Sequence, residues 1–293
     1  PCFCGGYGAA ADDAMALPIS GLGVTLSRVG PGGLGKGPAV QAAEGDWLLR
    51  TDGLSVVVGS DASGVDRQLG HGAMLDAAVD RIEADALFGI SPVVLVAGRE
   101  VLLRTLRVEA VVEAGRPALR IAHASRDNFL RLSTFLRVEP KRPYVELTTI
   151  TENRGSAPVV ALSVGDRVLW PGAPTFAPRL GFVEQPVHDR VPFIARAGRD
   201  VSYALAFKDG ADVDFRFDRI GPTEQLASSR AADLAPGATV EHRRVLIVAP
   251  GGLAAVAEHA FVFGEKPVGH VKGKLSPAPA WATLRAEHHD GRP

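Results

Sequence analysis

From Gly45 onward, apolar and polar residues alternate with a period of two for about two hundred residues, interrupted only by short clusters of turn formers. Side chains in an extended chain point alternately to opposite faces, so each such run is a strand with one buried and one wetted side. In Leu130 to Val138 the inner face is expected to hold Leu130, Leu132, Thr134, Leu136 and Val138, with Arg131, Ser133 and Arg137 outward beside Phe129 and Phe135. In Leu102 to Val112 the inner set is Leu102, Leu106, Val108, Ala110 and Val112. Tyr144 to Thr151 alternates Val145, Leu147, Thr149 and Thr151 against Tyr144, Glu146, Thr148 and Ile150, and ends at the turn Asn153-Arg154-Gly155. Further strands are expected at Val159 to Val164, Val168 to Trp170, Val201 to Phe207, Val213 to Phe217 and Val240 to Val248.

Helical periodicity is scarce: Gly252 to Phe263 carries it best, and Ala73 to Glu83 more weakly. Many consecutive strands with few helices favour antiparallel sheets packed face to face over a parallel α/β arrangement. The expected fold class is therefore mainly β, a large antiparallel β-sandwich with few short helices.

The chain divides by composition into three parts. Residues 1–44 are rich in Gly and Ala and suit a leader or linker, with a strand around Val24 to Val29. Within them, Gly30 to Pro38 nearly matches a phosphate-binding loop, but Gly37 stands where the magnesium-binding hydroxyl belongs and Pro38 follows, so a turn is expected. Residues 45–264 form the sandwich, and 265–293, opening on Val268 to Leu275, suit the start of a second β-sandwich module cut short. The start at Pro1 suggests a processed or truncated N-terminus, and Cys2, in Cys-Phe-Cys-Gly-Gly, resembles the lipidated start of a secreted lipoprotein as much as an incidental cysteine in a tail.

Charge and motifs narrow the chemistry. Thirty-two Lys and Arg against 33 Asp and Glu leave a formal net charge of −1, without the basic excess that nucleic-acid binding needs. No apolar run reaches the ~20 residues of a membrane-spanning helix. The eight histidines are scattered without His-x-His or His-Glu-x-x-His spacing, and only His288 and His289 are adjacent, so neither a metal site nor a cofactor is expected. Gly-x-Ser-x-Gly is missing too, and Glu146, Glu152 and Asp166 are carboxylates without distinctive spacing.

One stretch is unusual for a plain scaffold. Gly165-Asp166-Arg167-Val168-Leu169-Trp170-Pro171-Gly172, then Phe176 and Gly181-Phe182, then His188-Asp189-Arg190, put acids, aromatics and glycines where loops at a sheet end are expected. As a ligand site, Trp170, Phe176 and Phe182 supply stacking platforms, and Asp166, His188, Asp189 and Arg190 the hydrogen bonds that hold a sugar. The same residues also suit plugging an open sandwich edge. A mutarotase or lyase type of sugar enzyme is a further alternative, needing a pairing such as His188 or His123 with Glu146 or Tyr144.

These residues, with Thr148 to Gly155 and Ser202-Tyr203-Ala204-Leu205, also resemble the region before the catalytic domain in CehA/McbA-like metallohydrolases of the PHP superfamily. In that family the region is a galactose-mutarotase-like supersandwich followed by a carboxypeptidase-regulatory-like module, whose opening Val271-Lys272-Gly273 resembles. The resemblance implies a non-catalytic accessory region, secreted or lipid-anchored, partnered by the catalytic domain of the same polypeptide. The family's His-x-His and later metal ligands have no counterpart here.

Overall fold

The computed structural model describes residues 18–31, 41–60, 71–79, 87, 89–170, 175–183, 185–198, 200–208, 213–217 and 224–264. Seven strands open a first sheet: β1 (Ile19–Gly21), β2 (Val24–Arg28), β3 (Trp47–Arg50), β4 (Ser55–Val58), β5 (Met74–Ala78), β6 (Gly89–Val96) and β7 (Arg99–Val101). A second sheet then begins as a meander of long strands, β8 (Leu103–Glu113), β9 (Arg116–Ser125), β10 (Leu130–Val138) and β11 (Tyr144–Asn153). The chain returns to the first sheet with β12 (Val159–Leu169). Of the shorter strands that follow, β13 (Thr175–Ala177), β14 (Gly181–Val183), β16 (Phe193–Arg196) and β17 (Val201–Phe207) join the second sheet. Strands β15 (Val187–Val191), β18 (Val213–Phe217), β19 (Glu224–Ser228) and β20 (Ala232–Leu234) join the first. Finally β21 (Thr239–Pro250) runs between β17 and β11 and leads into the helix α1 (Leu253–Phe263). All described pairings are antiparallel, and the sheets hold twelve and nine strands among the described residues.

Local chemistry explains the tight connections. The β1–β2, β6–β7 and β8–β9 hairpins turn on Leu22-Gly23, Ala97-Gly98 and Ala114-Gly115, and in each both residues have positive φ. That is the two-residue turn whose twist matches paired strands, and glycine at its second position takes the conformation without strain.

The main core lies between the sheets, where Leu26, Leu49 and Val56 from one side meet Leu119, Leu136, Val145 and Leu246 from the other. The Tyr203 hydroxyl crosses it to donate to Ala77 O at 3.0 Å. A second cluster lies on the outer face of the second sheet, where α1 covers β16, β17 and β21. The small side chains of Ala204 and Ala206 on β17 leave room for Val256 and Ala260 of the helix, so β17 is buried on both faces.

The expected β-sandwich is the observed fold, and the alternation in Leu130 to Val138 matches the burial pattern of β10 residue for residue. The strand expected around Val24 is β2, whose Val24 and Leu26 are core residues, so the sandwich takes in chain ahead of Gly45. Three expectations are corrected. Met74–Ala78 is a strand, not the start of a helix, because Ala73, Met74, Leu75 and Ala77 are buried together and pairing with β4 and β6 overrides their helical propensity. Val159 to Val164 and Val168 to Trp170 belong to one strand, β12, except Trp170 just beyond it. In β8 a bulge between Thr105 and Arg107 breaks the alternation, so Leu102 faces solvent at 68% exposure while Val108 stays buried. Cys2, most of the Gly30 to Pro38 cluster, Val268 to Leu275, and His288 and His289 lie outside the described residues.

Candidate functional site

The richest group of functional side chains lies between the sheets. On the second sheet Thr149 sits across from Thr134 on β10 and from His242 on β21, and Leu147 across from Arg244, which puts these side chains on one face. From the first sheet β12 brings Asp166 against them. Asp166 and Arg244 are each about 1% exposed and form a two-point ion pair: Nη2 donates to Oδ1 at 2.7 Å and Nε donates to Oδ2. The remaining guanidinium nitrogen, Nη1, donates to Thr149 Oγ1 at 2.7 Å, and that hydroxyl is 2.8 Å from Thr134 Oγ1.

Beside this pair lies His123 on β9. Thr105 Oγ1 donates to His71 O at 2.6 Å and is 3.2 Å from His123 Nδ1. A hydroxyl has one proton, so toward the ring Thr105 is the acceptor and Nδ1 carries the hydrogen. Nε2 then presents a lone pair, buried and without a protein partner. Burial, helped by the nearby charge of His71, lowers the His123 pKa to about 4. His242, 4.7 Å from the Phe207 ring, is likewise held well below the usual range by burial and then by Arg244.

His123, Thr134, Asp166 and Arg244, with apolar neighbours including Met74 and Leu136, line an interior cavity of about 20 Å³. That is room for one water, not for a sugar or a phosphoester. Among the described residues no group of three or more His, Cys, Asp or Glu could hold a metal ion, and no helix is long and apolar enough to cross a membrane.

Of the residues expected to form one sugar site, two are interior and the others lie on the β13–β14 hairpin and on β15, which touch where Arg179 of the hairpin turn donates to the Arg190 carbonyl. Asp166 is in the interior ion pair. Trp170, 1% exposed, is a core residue whose indole N–H donates to Thr175 Oγ1 at 3.0 Å, so its ring offers no stacking surface. Phe176 and Phe182 sit at the β13–β14 edge of the second sheet with rings edge to face at 5.5 Å. Phe182 is 52% exposed, while Phe176 also meets Phe193, which stacks on Phe261 of α1. His188, Asp189 and Arg190 lie on β15, an end strand of the first sheet. There His188 Nε2 is 2.5 Å from Asp214 Oδ1, Asp189 accepts from the Arg190 backbone N–H, and Arg179 donates to the Arg190 carbonyl. The acid–base pairings are not formed: His123 faces the core, Glu146 lies on the opposite face of the same sheet, and His188 belongs to the other sheet.

What sequence reasoning missed is the partnership of Asp166 with Arg244, Thr149 and Thr134. Its one signal is a charged residue on the inner parity of β21, Arg244 between His242 and Leu246.

No protein-family model matches this sequence, and no curated protein does. Solved structures do. The α-galactosidase from Lactobacillus brevis is similar with a TM-score of 0.50 at 12% identity, over 74% of this chain and 41% of that one. The GH36 α-galactosidase AgaA from Geobacillus stearothermophilus gives 0.46 at 13% identity, over 75% of this chain and 41% of that one. The Slr1438 protein from Synechocystis sp. PCC 6803 gives 0.43 at 11% identity, over 70% of this chain and 95% of that one. The chain thus spans well under half the length of the α-galactosidases it resembles, and at such low identity the likeness is one of fold: a large antiparallel β-sandwich.

Proposed function

We propose that this chain is a non-catalytic β-sandwich accessory region that packs beside the catalytic domain of a larger hydrolase. The observation that carries the reading is the fate of the interior polar groups. Asp166, the carboxylate at the centre of the candidate ligand set, is wholly engaged by Arg244, and the cavity beside them holds a water at most. Such a network fixes how two sheets meet; it has no space in which to bind and turn over a substrate. The sandwich likeness to a 41% share of an α-galactosidase supports the same reading, since there too a fold of this kind is part of a larger hydrolase.

The finer form of the proposal rests on the residue resemblance to CehA/McbA-like proteins. The partner is a PHP-type metallohydrolase domain of the same polypeptide, and the location is extracytoplasmic, secreted or anchored through a lipid on Cys2. The test is to assay the purified chain against chromogenic glycosides and phosphodiesters, with and without zinc or manganese, while following its thermal unfolding. The expected result is a folded protein with no turnover and no saturable stabilisation by metal. Metal-dependent turnover by the chain alone overturns the proposal.

A further inference from the structure

Away from α1, the outer face of the second sheet is a field of arginines and glutamates. Arg107 pairs with Glu109 at 2.9 Å, Arg120 with Glu109 at 3.2 Å and Arg154 with Glu152 at 2.8 Å. Arg116 pairs with Glu139, Arg137 with Glu113, and Arg243 with Glu241. Three arginines at one end of the face form no close ion pair among the described residues: Arg104 on β8, Arg126 in the β9–β10 turn and Arg131 on β10, the last lying directly across from Glu152 of β11. Arg104 and Arg131 both lie across from Ala124 of β9, so they flank a small residue at backbones about 10 Å apart. Arg104 donates to Asn128 Oδ1 at 2.9 Å, while Arg131 Nε is buried without a hydrogen-bond partner.

Two residues beyond these arginines, on the same parity, the face becomes apolar. Leu102 and Phe129 line an open cleft with Val101, Arg126 and Asp127, and Leu102 is the most exposed large hydrophobic residue described, at 68%. Apolar surface, the Arg126 guanidinium and the Asp127 carboxylate therefore meet in the cleft, with Arg104 and Arg131 two residues behind its walls.

We propose that this cleft binds a carboxylate-bearing saccharide, a uronate residue of an acidic polysaccharide. The C–H face of the sugar ring rests on Phe129 and Leu102. Its carboxylate takes bidentate hydrogen bonds from Arg126, whose planar fork matches that shape. Asp127 accepts from ring hydroxyls. The site is independent of the accessory role proposed above, because binding needs no turnover.

The test is calorimetric titration of the whole chain with a trigalacturonate, a neutral cello-oligosaccharide and inorganic phosphate. The expected result is saturable binding of the trigalacturonate, weaker by about ten- to a hundred-fold in Arg126→Gln and clearly weakened in Leu102→Ser, with Arg107→Gln on the same face unchanged. Each variant is first shown to unfold at the midpoint of the parent protein, and Leu102→Ser is used because Leu102 is exposed and Phe129 partly packs in the core. Failure of the folded parent chain to bind the uronate overturns the proposal. So does binding that Arg126→Gln leaves intact, equal binding of the neutral sugar, or phosphate binding as tightly as the uronate while Leu102→Ser has no effect.

Discussion

At the scale of single residues, the interior is held by charges that have only each other. Arg244 and Asp166 are fully buried, so removing either one strands the other in a low-dielectric core. Arg244→Met is expected to lower stability by about 3–5 kcal/mol, whereas the double variant Asp166→Leu/Arg244→Met falls by less than either single change, because no unpaired charge remains. Urea unfolding of the four proteins measures this. The buried histidines predict a second effect. His123 titrates near 4 in the folded chain against an ordinary 6.5, so the unfolded chain takes up its proton first as pH falls. The stability it contributes is complete above pH 6.5 and declines between 6.5 and 4, by about 3 kcal/mol, with His242 acting in the same direction. His123→Gln, which keeps a donor toward Thr105, flattens that slope in denaturation followed from pH 7.5 to 4.

At the scale of elements, the sequence was most legible where a strand has one dry and one wet face. β10 alternates along its whole length because only its inner side meets the other sheet. Legibility fell where tertiary structure covers both sides or shifts the register. β5 looks helical because Ala, Met and Leu are good helix formers, yet it is buried between β4 and β6. In β8 a single extra residue reversed the expected facing of Leu102, and that reversal supplies the apolar wall of the surface cleft. Close approach also fixes the β12–β19 pairing at Gly165, where an added Cβ would come within 2.1 Å of Ala227 O. Since backbone cannot yield as a side-chain tip can, Gly165→Ala is expected to cost at least about 2 kcal/mol, read from thermal unfolding.

At the scale of the whole molecule, the two-sheet architecture was legible and the site was not, for the same reason. Alternation is a local property, whereas Asp166 and Arg244 are brought together across 78 positions of sequence by the facing of two sheets. The stretch from Gly165 to Arg190 looked like one ligand site because its residues are neighbours in the chain. The fold buries Asp166 and Trp170 in the core and leaves the rest on the edge strands of one sheet and the adjoining end strand of the other. Under the two proposals, the interior of the sandwich carries structural chemistry and its surface carries recognition. The most direct test of that claim is the hydrolase assay of the purified chain with and without divalent metal. The account predicts no turnover above background from a folded protein; metal-dependent turnover that co-purifies with the chain would contradict it.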